Sequence, residues 1–437
     1  MAVEEAVAPG SPASAEQRGR TRPVDMFAFG GPWGSLGLTI GLPLVVYYLW
    51  VCIVDHGGAL LWPRSGADLV DLIRRVPLPT TRSAAIYGCW FCLQVLLQVF
   101  VPGPWKEGQP IPDGTRLKYR MNGWVSWWLT WGLVILAVVS GLLPATFFYD
   151  EYGPLLSTVV IFTFAYSGYL HWHGRRYGKN EAVHGSPIHD FFMGTSLNPR
   201  AGHFDHKLFC EARPGLILWV IGNFSIAAKQ YALHGTISTP MVLVCVFHFF
   251  YIADYYVHEE AILTTWDIKH ENFGFMLGFG DLVWVPFTYT FQALYLVNHP
   301  HGLPWWGTAG IVALNVAGFV VFRWSNIQKH RFRSDPSRPV WGRPAEFIRT
   351  RRGTLLLLSG WWGKARHINY LGDLVMALAW CLPCLFGSVV PYFYIVYFTI
   401  LLVLRERRDN SMCAAKYGDD WKEYTRRVPW RIVPRVY

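Results

Sequence analysis

The sequence predicts an all-α fold, a polytopic membrane bundle of about ten transmembrane helices. Only 16% of its residues are charged and 52% are hydrophobic, whereas about a quarter of the residues of a soluble domain are charged. Tryptophan and tyrosine occur 22 times each, and their rings favour the membrane–water interface. The third observation is a series of apolar runs about 20 residues long, the length that a helix needs to cross a bilayer.

These runs follow one another along almost the whole chain. They lie near residues 35–54, 83–102, 123–145, 153–172, 214–231, 239–257, 276–297 and 304–323. The stretch 372–404 is too long for one span, and Pro383 and Gly387 interrupt it. We interpret it as two helices joined by a tight turn, which makes ten spans. The run 276–297 is among the weakest because it contains Asp281 and Pro286.

The N-terminal segment differs from the rest of the chain. Its first 30 residues contain no apolar stretch and are rich in Ala, Pro, Ser and charge, a composition typical of disorder. We therefore predict a disordered cytosolic tail over residues 1–30 and a transmembrane domain over residues 31–437.

Basic residues are concentrated at particular connections. The formal net charge is +10, and the connection 323–369 contains eleven Lys or Arg but only two acidic residues. Basic residues also precede the first run and follow the last one. Loops rich in Lys and Arg remain in the cytosol, so ten spans place both termini there. This pattern fits membrane topology or a phosphate-bearing ligand better than nucleic acid.

The sequence predicts no metal site. Cys89 and Cys92 form a CxxC pair, as do Cys381 and Cys384, but both pairs lie inside apolar runs. Zinc thiolates need polar neighbours and further ligands, so packing is the favoured interpretation. The HEE sequence at residues 258–260 is not the HExxH zinc motif.

Ionisable residues within predicted spans indicate function or helix pairing. Tyr251, Asp254, Tyr255 and His258 recur at helical spacing and share one face. They could pair within the bundle and fix its register, or they could line a substrate cavity.

A second polar region lies in the basic connection. Lys329 and Arg333 are four residues apart on one helix face, Trp361 and Trp362 offer stacking surfaces, and the sequence RHINYLGD follows at residues 366–373. Such a set could bind the phosphates and the adenine of a dinucleotide, or its charge could serve topology alone. The chain has no GxGxxG fingerprint, so a nicotinamide cofactor would need another scaffold.

Five sequence blocks carry a resemblance to a known family. They are GTSLNPR (194–200), FCEARPGLILWVIGN (209–223), HEEAILTTWDIKHENFGFMLGFGDLVWVPFTYT (258–290), LLLLSGWWGKARHINYLGDLVMALAW (355–380) and LLVLRERRDNSMCAAKYGDDWKEYTRRVPWRIVPRVY (401–437). In this order they resemble the sterol C14/C7 reductase family, which includes the reductase domain of the lamin B receptor. The resemblance covers roughly residues 30–437.

The resemblance implies a fold, a substrate and a location. It implies ten transmembrane helices, an NADPH site that opens to the cytosol and a sterol substrate that enters from the bilayer, with membrane lipid as the other partner. Residues 31–212 would supply N-terminal helices, and residues 213–437 the catalytic and cofactor-binding half. The protein would lie in the endoplasmic reticulum membrane of a eukaryote or in the cytoplasmic membrane of a bacterium.

The resemblance also implies site residues. The family's cofactor positions fall on Lys329, Arg333, Leu357, Trp362, Asn369, Tyr370, Asp373, Arg405 and Tyr417, and its catalytic positions fall on Tyr251 and Asp409. Within the family the sequence is most similar to Δ14-sterol reductases, and AAKQ at residues 227–230 is similar to Δ7-sterol reductases. A membrane methyltransferase or a sterol sensor without enzymatic activity are remote alternatives.

The expected reaction requires an acid as well as a hydride donor. Hydride alone does not reduce an unactivated alkene, so protonation at C15 of a Δ8,14-sterol must first create a cation at C14. We expect Asp409 to take part in proton supply, since a carboxyl group near an apolar cavity has a raised pKa. Tyr251 is the other candidate, as donor or relay. Alternatively, Asp409 is an ion-pair partner that orients the cofactor.

Overall fold

A computed structural model describes residues 29–111, 114–177 and 185–437. Nearly all of the predicted tail, residues 1–28, lies outside this range. The described residues pack as two units: residues 29–302 with Gly387–Pro391, and Leu303–Phe386 with Tyr392–Tyr437. This division differs from the expected halves 31–212 and 213–437, which stay a prediction.

The first unit is built from helices that pack around a buried apolar core. Its α-helices are α1 (Gly31–His56), α2 (Gly66–Arg74), α3 (Thr81–Phe100), α4 (Gly123–Val139), α5 (Phe147–Asp150), α6 (Tyr152–Tyr177), α7 (Pro187–Met193), α8 (His206–Ala212), α9 (Pro214–His234), α10 (Thr239–Val257), α11 (Trp266–His270), α12 (Phe275–Phe279) and α13 (Phe291–Asn298), with a 3₁₀ helix at Glu259–Thr264 and a π-helix at Gly280–Thr288. Two antiparallel hairpins join β1 (Trp105–Pro110) to β2 (Arg116–Arg120) and β3 (Arg200–Ala201) to β4 (Phe204–Asp205).

The second unit contains four α-helices and one hairpin. These are α14 (Trp305–Ser334), α15 (Ile368–Cys381), α16 (Phe393–Tyr417) and α17 (Asp419–Arg427), with β5 (Phe347–Arg349) antiparallel to β6 (Leu355–Leu357). Short 3₁₀ turns cover Gly360–Gly363 and Leu382–Cys384. A third, Val390–Tyr392, begins in the first unit and ends at the first residue of α16's segment in the second.

The all-α polytopic membrane fold is confirmed. Every predicted apolar run coincides with helical structure, including the two helices α15 and α16 expected within residues 372–404. In the part of the chain that the structure describes, six helices are long and apolar enough to cross a membrane, and two shorter apolar helices cover Gly123–Val139 and Ile368–Cys384. The count of ten crossings therefore stays a prediction.

The predicted span 276–297 is helical but not a regular α-helix. It consists of α12, the π-helix and α13, and Pro286 lies inside the π-helix. Proline has no N–H to donate to the preceding turn, which explains the change in winding. Gly215 of α9 packs on this segment so closely that an added Cβ would meet the carbonyl oxygen of Asp281. A larger residue at position 215 would push the two helices apart.

Lys207 is a fully buried cation in the first unit. Its Nζ donates hydrogen bonds to the carbonyl oxygens of Asp267 at 2.8 Å, Ile268 at 2.9 Å and Glu271 at 2.9 Å. An ammonium group has three donors, so all of them are used. Lys207 thereby satisfies backbone groups around α11.

In the second unit α14 and α15 cross at two glycines. A Cβ added to Gly318 of α14 would lie 2.8 Å from the carbonyl oxygen of Gly372, and a Cβ added to Gly372 of α15 would meet the backbone nitrogen of Phe322. Small residues allow membrane helices to approach this closely. The crossing fixes the start of α15, where the RHINYLGD sequence lies, against α14.

Two helices of this unit are longer than their apolar parts. The 30 residues of α14 span about 45 Å, well beyond a hydrocarbon core of about 30 Å. Its apolar residues end before Arg323, and those of α16 end at Leu404. We expect the polar ends of both helices to extend beyond the membrane, and they carry five of the predicted site residues: Lys329, Arg333, Arg405, Asp409 and Tyr417.

Candidate functional site

A lysine and a tryptophan form the first part of the site. Lys329 Nζ on α14 lies 4.1 Å from the ring centroid of Trp362, a cation–π distance. The indole Nε1 of Trp362 donates to the carbonyl oxygen of Ser325 at 2.8 Å. Trp362 is buried with Leu357 in a cluster that also contains Phe332. Packing and a hydrogen bond thus fix the Trp362 ring, and the cation–π contact with this ring positions the Lys329 ammonium group.

The turn before Trp362 depends on a glycine. Gly360 adopts a φ of +68°, and a Cβ there would meet the side-chain amide of Gln328. The Oε1 atom of Gln328 accepts a hydrogen bond from the backbone N–H of Trp361 at 2.8 Å. Only glycine adopts this backbone conformation without strain and leaves room for Gln328. The turn is therefore attached to α14 one residue before Lys329.

Asn369 is an unsatisfied buried amide. It lies in the first turn of α15 and is fully buried. Neither its side-chain oxygen nor its nitrogen has a hydrogen-bond partner within the described ranges. A buried amide without a partner is costly and is rare in native proteins. An amide in this state can bind a ligand group that offers both a donor and an acceptor.

His367 and Asp409 join α15 to α16. His367 Nε2 lies 3.3 Å from a carboxylate oxygen of Asp409. The imidazole stacks on Tyr370 with ring centroids 4.9 Å apart and planes 19° apart. His367 belongs to the RHINYLGD sequence but was not among the predicted site residues. Its position before α15 gave no periodic signal.

The charge state of Asp409 differs from the sequence-based expectation. Burial raises the pKa of this carboxyl group. The hydrogen bond from His367 and the positive charges of His367, Lys329 and Arg405 lower it. The net effect is a pKa below the ordinary value of an aspartate. The expected raised pKa is therefore wrong. The result favours the alternative that Asp409 is an ion-pair partner.

A buried carboxylate holds the surrounding helices together. Glu406, one turn before Asp409, is fully buried. Its oxygens lie 2.9 Å from Arg431 Nη1 and 3.8 Å from Arg366 Nη2. The backbone N–H of Arg366 donates to the carbonyl oxygen of Trp430 at 3.0 Å. The segment after α17 thereby ties the start of α15 to α16.

The remaining predicted cofactor residues lie on the same helices. Asp373 is buried one turn after Asn369, and Arg333 is half-buried one turn after Lys329. Arg405 is half-buried one turn before Asp409. Tyr417 lies in a separate cluster with Trp421 and other apolar residues, at the end of α16.

Tyr251 lies in the other unit, on α10 and half-buried. Its ring centroid is 6.4 Å from that of Trp219 on α9. Trp219 Nε1 lies 3.1 Å from His248 Nδ1, and the amide of Asn223 donates to the same nitrogen at 2.8 Å. Two donors at Nδ1 place the imidazole proton on Nε2. These contacts fix the aromatic wall beside Tyr251.

The residues of the second unit fit a phosphorylated dinucleotide. Lys329 and Arg333 supply cations one helical turn apart, which suits phosphate groups. The Trp362 ring is fixed by its hydrogen bond to Ser325, Tyr370 stacks on His367, and the Asn369 amide has no hydrogen-bond partner among the described residues.

The fold and these residues define a class: a multi-pass membrane protein with a cluster of basic and aromatic residues at the polar ends of its last long helices. A family model described as "Ergosterol biosynthesis ERG4/ERG24 family" matches residues 24–437. The chain belongs to this family, which confirms the resemblance found in the sequence.

Several curated relatives are similar over nearly their whole length. The Delta(14)-sterol reductase of Methylotuvimicrobium alcaliphilum is 56% identical over 94% of this chain and 96% of its own. The Delta(14)-sterol reductase of Dictyostelium discoideum is 50% identical over 93% and 91%. The Delta(14)-sterol reductase erg24 of Schizosaccharomyces pombe is 43% identical over 94% and 97%.

Proposed function

We propose that this protein reduces the C14=C15 double bond of a Δ8,14-sterol in sterol biosynthesis, with NADPH as the hydride donor. The reaction class is that named for relatives as much as 56% identical to this chain. The structural observation that favours a cofactor-dependent enzyme over a sterol sensor is Asn369, whose buried amide has no partner in the described chain. A protein that bound sterol alone would not need that amide on α15 together with the two cations on α14.

The proposed cofactor residues have separate tasks. Lys329 and Arg333 neutralise phosphate groups, including the 2′-phosphate that distinguishes NADPH from NADH. Asn369 donates to and accepts from a neutral group of the ligand, while Asp373, Arg405 and Tyr417 complete the site. NADPH, when bound, supplies the hydride. The residues themselves orient the ligand and exclude water, because reacting atoms must approach within about 3–3.5 Å.

The proton for C15 comes in this proposal from the Tyr251 hydroxyl. A neutral phenol can donate within an apolar cavity, whereas Asp409 is held as a carboxylate by His367, Lys329 and Arg405. Protonation at C15 leaves an allylic cation at C14, because the Δ8 double bond is conjugated with it. Asp409 has the separate task of orienting His367, whose Nε2 lies 3.3 Å from its carboxylate.

The membrane location sets how the substrate arrives. This multi-pass protein would take its sterol from the bilayer, with the cofactor site open to the cytosol. The eleven basic residues between positions 323 and 369 support a cytosolic orientation of that connection and of both termini.

Turnover by membranes that contain the protein tests the proposal. We would measure NADPH-dependent product from a Δ8,14-sterol and from a Δ5,7-sterol, for the wild type and for Tyr251→Phe and Asp409→Asn. Matched controls are Tyr231→Phe and Asp335→Asn, which change an exposed tyrosine and an aspartate on a surface turn. We expect product from the Δ8,14-sterol, at least about 100-fold less in either site variant, and unchanged rates in both controls.

The alternatives give different results. Product from the Δ5,7-sterol alone would keep the family and the cofactor but refute the proposed substrate. No product from either sterol, with NADPH still bound by a folded protein, would indicate a sensor. Full activity of Tyr251→Phe would remove the tyrosine from the proposed proton step.

A further inference from the structure

A polar cavity opens beside the end of the second unit. Its volume is about 460 Å³, and it is lined by Arg407, Asn410, Ser411, Arg431 and Tyr437. The first three lie on α16, and the last two lie on the segment after α17. A cavity lined by two guanidinium groups, a hydroxyl, a phenol and an amide suits an anion with several acceptor oxygens.

The cavity carries excess positive charge. The guanidinium of Arg407 is exposed, and its side chain makes no ion pair or hydrogen bond to the residues that the structure describes. Arg431 pairs with Glu406, but Glu406 is also shared with Arg366. Arg431 and Arg366 thus share one carboxylate, and Arg407 adds a positive charge that this carboxylate does not pair. Tyr437, the last residue of the sequence, adds at most one further negative charge, so the balance stays positive.

The hydrogen bonds around the cavity hold its lining in place. Arg431 lies 5.6 Å from the Tyr437 ring centroid, and the Tyr437 hydroxyl donates to Glu406 at 3.3 Å. The backbone N–H groups of residues 431–433 all donate to the Tyr437 main-chain oxygen, at distances of 2.8 to 3.1 Å. Asn410 accepts a hydrogen bond from the indole of Trp421 at 3.1 Å. A ligand therefore meets a preformed surface.

The cavity lies close to the boundary between the apolar and the polar part of α16. The apolar part of α16 ends at Leu404, and Arg407 follows three residues later, about 4.5 Å further along the axis. Basic pockets at this level bind anionic headgroups. Successive residues are about 100° apart around a helix, so Arg407 and Asp409 point to roughly opposite sides. The cavity is therefore separate from the proposed cofactor site.

We infer that this cavity binds the phosphate group of an anionic phospholipid, with Arg407 and Arg431 as its charged ligands. The inference depends on the membrane fold and not on the proposed reaction. The group that the cavity would bind is a phosphate, which both a lipid headgroup and inorganic phosphate in solution offer. The position close to the boundary between the apolar and the polar part of α16 favours the lipid as the source.

Lipid titration of the purified full chain tests this. Binding of phosphatidylglycerol and of phosphatidylcholine would be measured by native mass spectrometry for the wild type, Arg407→Gln and Arg352→Gln. Arg352 is an exposed arginine outside the cavity, so its variant removes the same charge from a different place. We expect phosphatidylglycerol to bind Arg407→Gln about tenfold more weakly than wild type, and Arg352→Gln to bind like wild type.

A competition experiment distinguishes a lipid headgroup from inorganic phosphate as the bound ligand. Inorganic phosphate should displace phosphatidylglycerol only at millimolar concentration if the lipid is the ligand. Displacement at micromolar concentration would overturn the lipid assignment. Equal affinity of the wild type and Arg407→Gln for phosphatidylglycerol would refute this cavity as the binding site. An equal loss of affinity in Arg352→Gln would refute it as well. Arg407→Gln should keep sterol turnover within about twofold, since this residue has no place in the proposed reaction.

Discussion

Lys207 in the first unit and Asn369 in the second are both fully buried polar side chains, but their surroundings differ. Lys207 gives each of its three donors to a backbone carbonyl oxygen. Asn369 makes no side-chain hydrogen bond among the described residues. A buried polar side chain can therefore have either a structural or a ligand-binding role in this protein. The saturated Lys207 stabilises the fold, whereas we propose that the unsaturated amide of Asn369 binds a ligand.

Loss of the saturated group should have the largest effect. Lys207→Met leaves three buried carbonyl oxygens without their donor, which we expect to cost about 3–5 kcal/mol of the free energy of unfolding. The unfolding midpoint in detergent should fall by roughly 5–15 °C. Lys229→Met, at a partly exposed lysine paired with Asp150, is the control and should change it by about 2 °C or less. A midpoint unchanged in Lys207→Met would contradict the structural role.

Asn369→Leu should do the opposite. Removal of an amide without partners should leave the midpoint of the cofactor-free protein unchanged or slightly raised. The NADPH dissociation constant should rise about 10- to 100-fold, as measured by cofactor fluorescence. Asn315→Leu is the matched control, because Asn315 accepts a hydrogen bond from Trp380 at 2.9 Å. That variant should lose stability and keep its cofactor affinity; the reverse pattern would refute the comparison.

A smaller effect is expected from the cations of α14. Lys329→Met should weaken NADPH binding about tenfold, because a charge-assisted contact to phosphate is lost. NADH binding should weaken less if the lysine holds the 2′-phosphate. Arg338→Gln, an exposed arginine beside Asp335, serves as the control. Equal losses for both cofactors would assign Lys329 to the pyrophosphate instead.

The smallest expected effect is on pH dependence. Because the pKa of Asp409 is lowered in the folded protein, its stabilising contribution is present above the unfolded value of about 3.9 and is lost as the pH falls below it. Between pH 5 and 8, removal of this charge by Asp409→Asn should change the level of activity but not the shape of the profile. Loss of a titration between pH 5 and 8 in that variant would show a raised pKa after all.

The sequence predicted the helices better than the site chemistry. The run 372–404 resolved into α15 and α16 because proline and glycine interrupt it. The π-helix at Gly280–Thr288 could not be predicted, since apolar periodicity over nine residues does not separate it from an α-helix. Cofactor residues such as Lys329 and Trp362 came from motifs, and the structure places these two in contact.

The charge of Asp409 was not accessible from sequence. Its neighbours His367 and Lys329 lie 42 and 80 residues away along the chain, and only the packing of α14, α15 and α16 brings their charges to it. Burial without these partners would have raised its pKa, as expected from the apolar surroundings. The pKa of a buried group depends on both its burial and the neighbouring charges, and the sequence predicts only the burial.

The hydrogen bonds between residues 366–367 and residues 430–431 have a consequence for biosynthesis. Protein chains emerge from the ribosome N-terminus first, and their domains fold in that order. The start of α15 gains these partners only after α16 and α17 have been made, when all the apolar helices that the structure describes have already been translated. A chain that stalls before Trp430 can therefore be inserted in the membrane and still have an incomplete site. Quality control of such a chain could not depend on detecting a helix that is missing from the membrane.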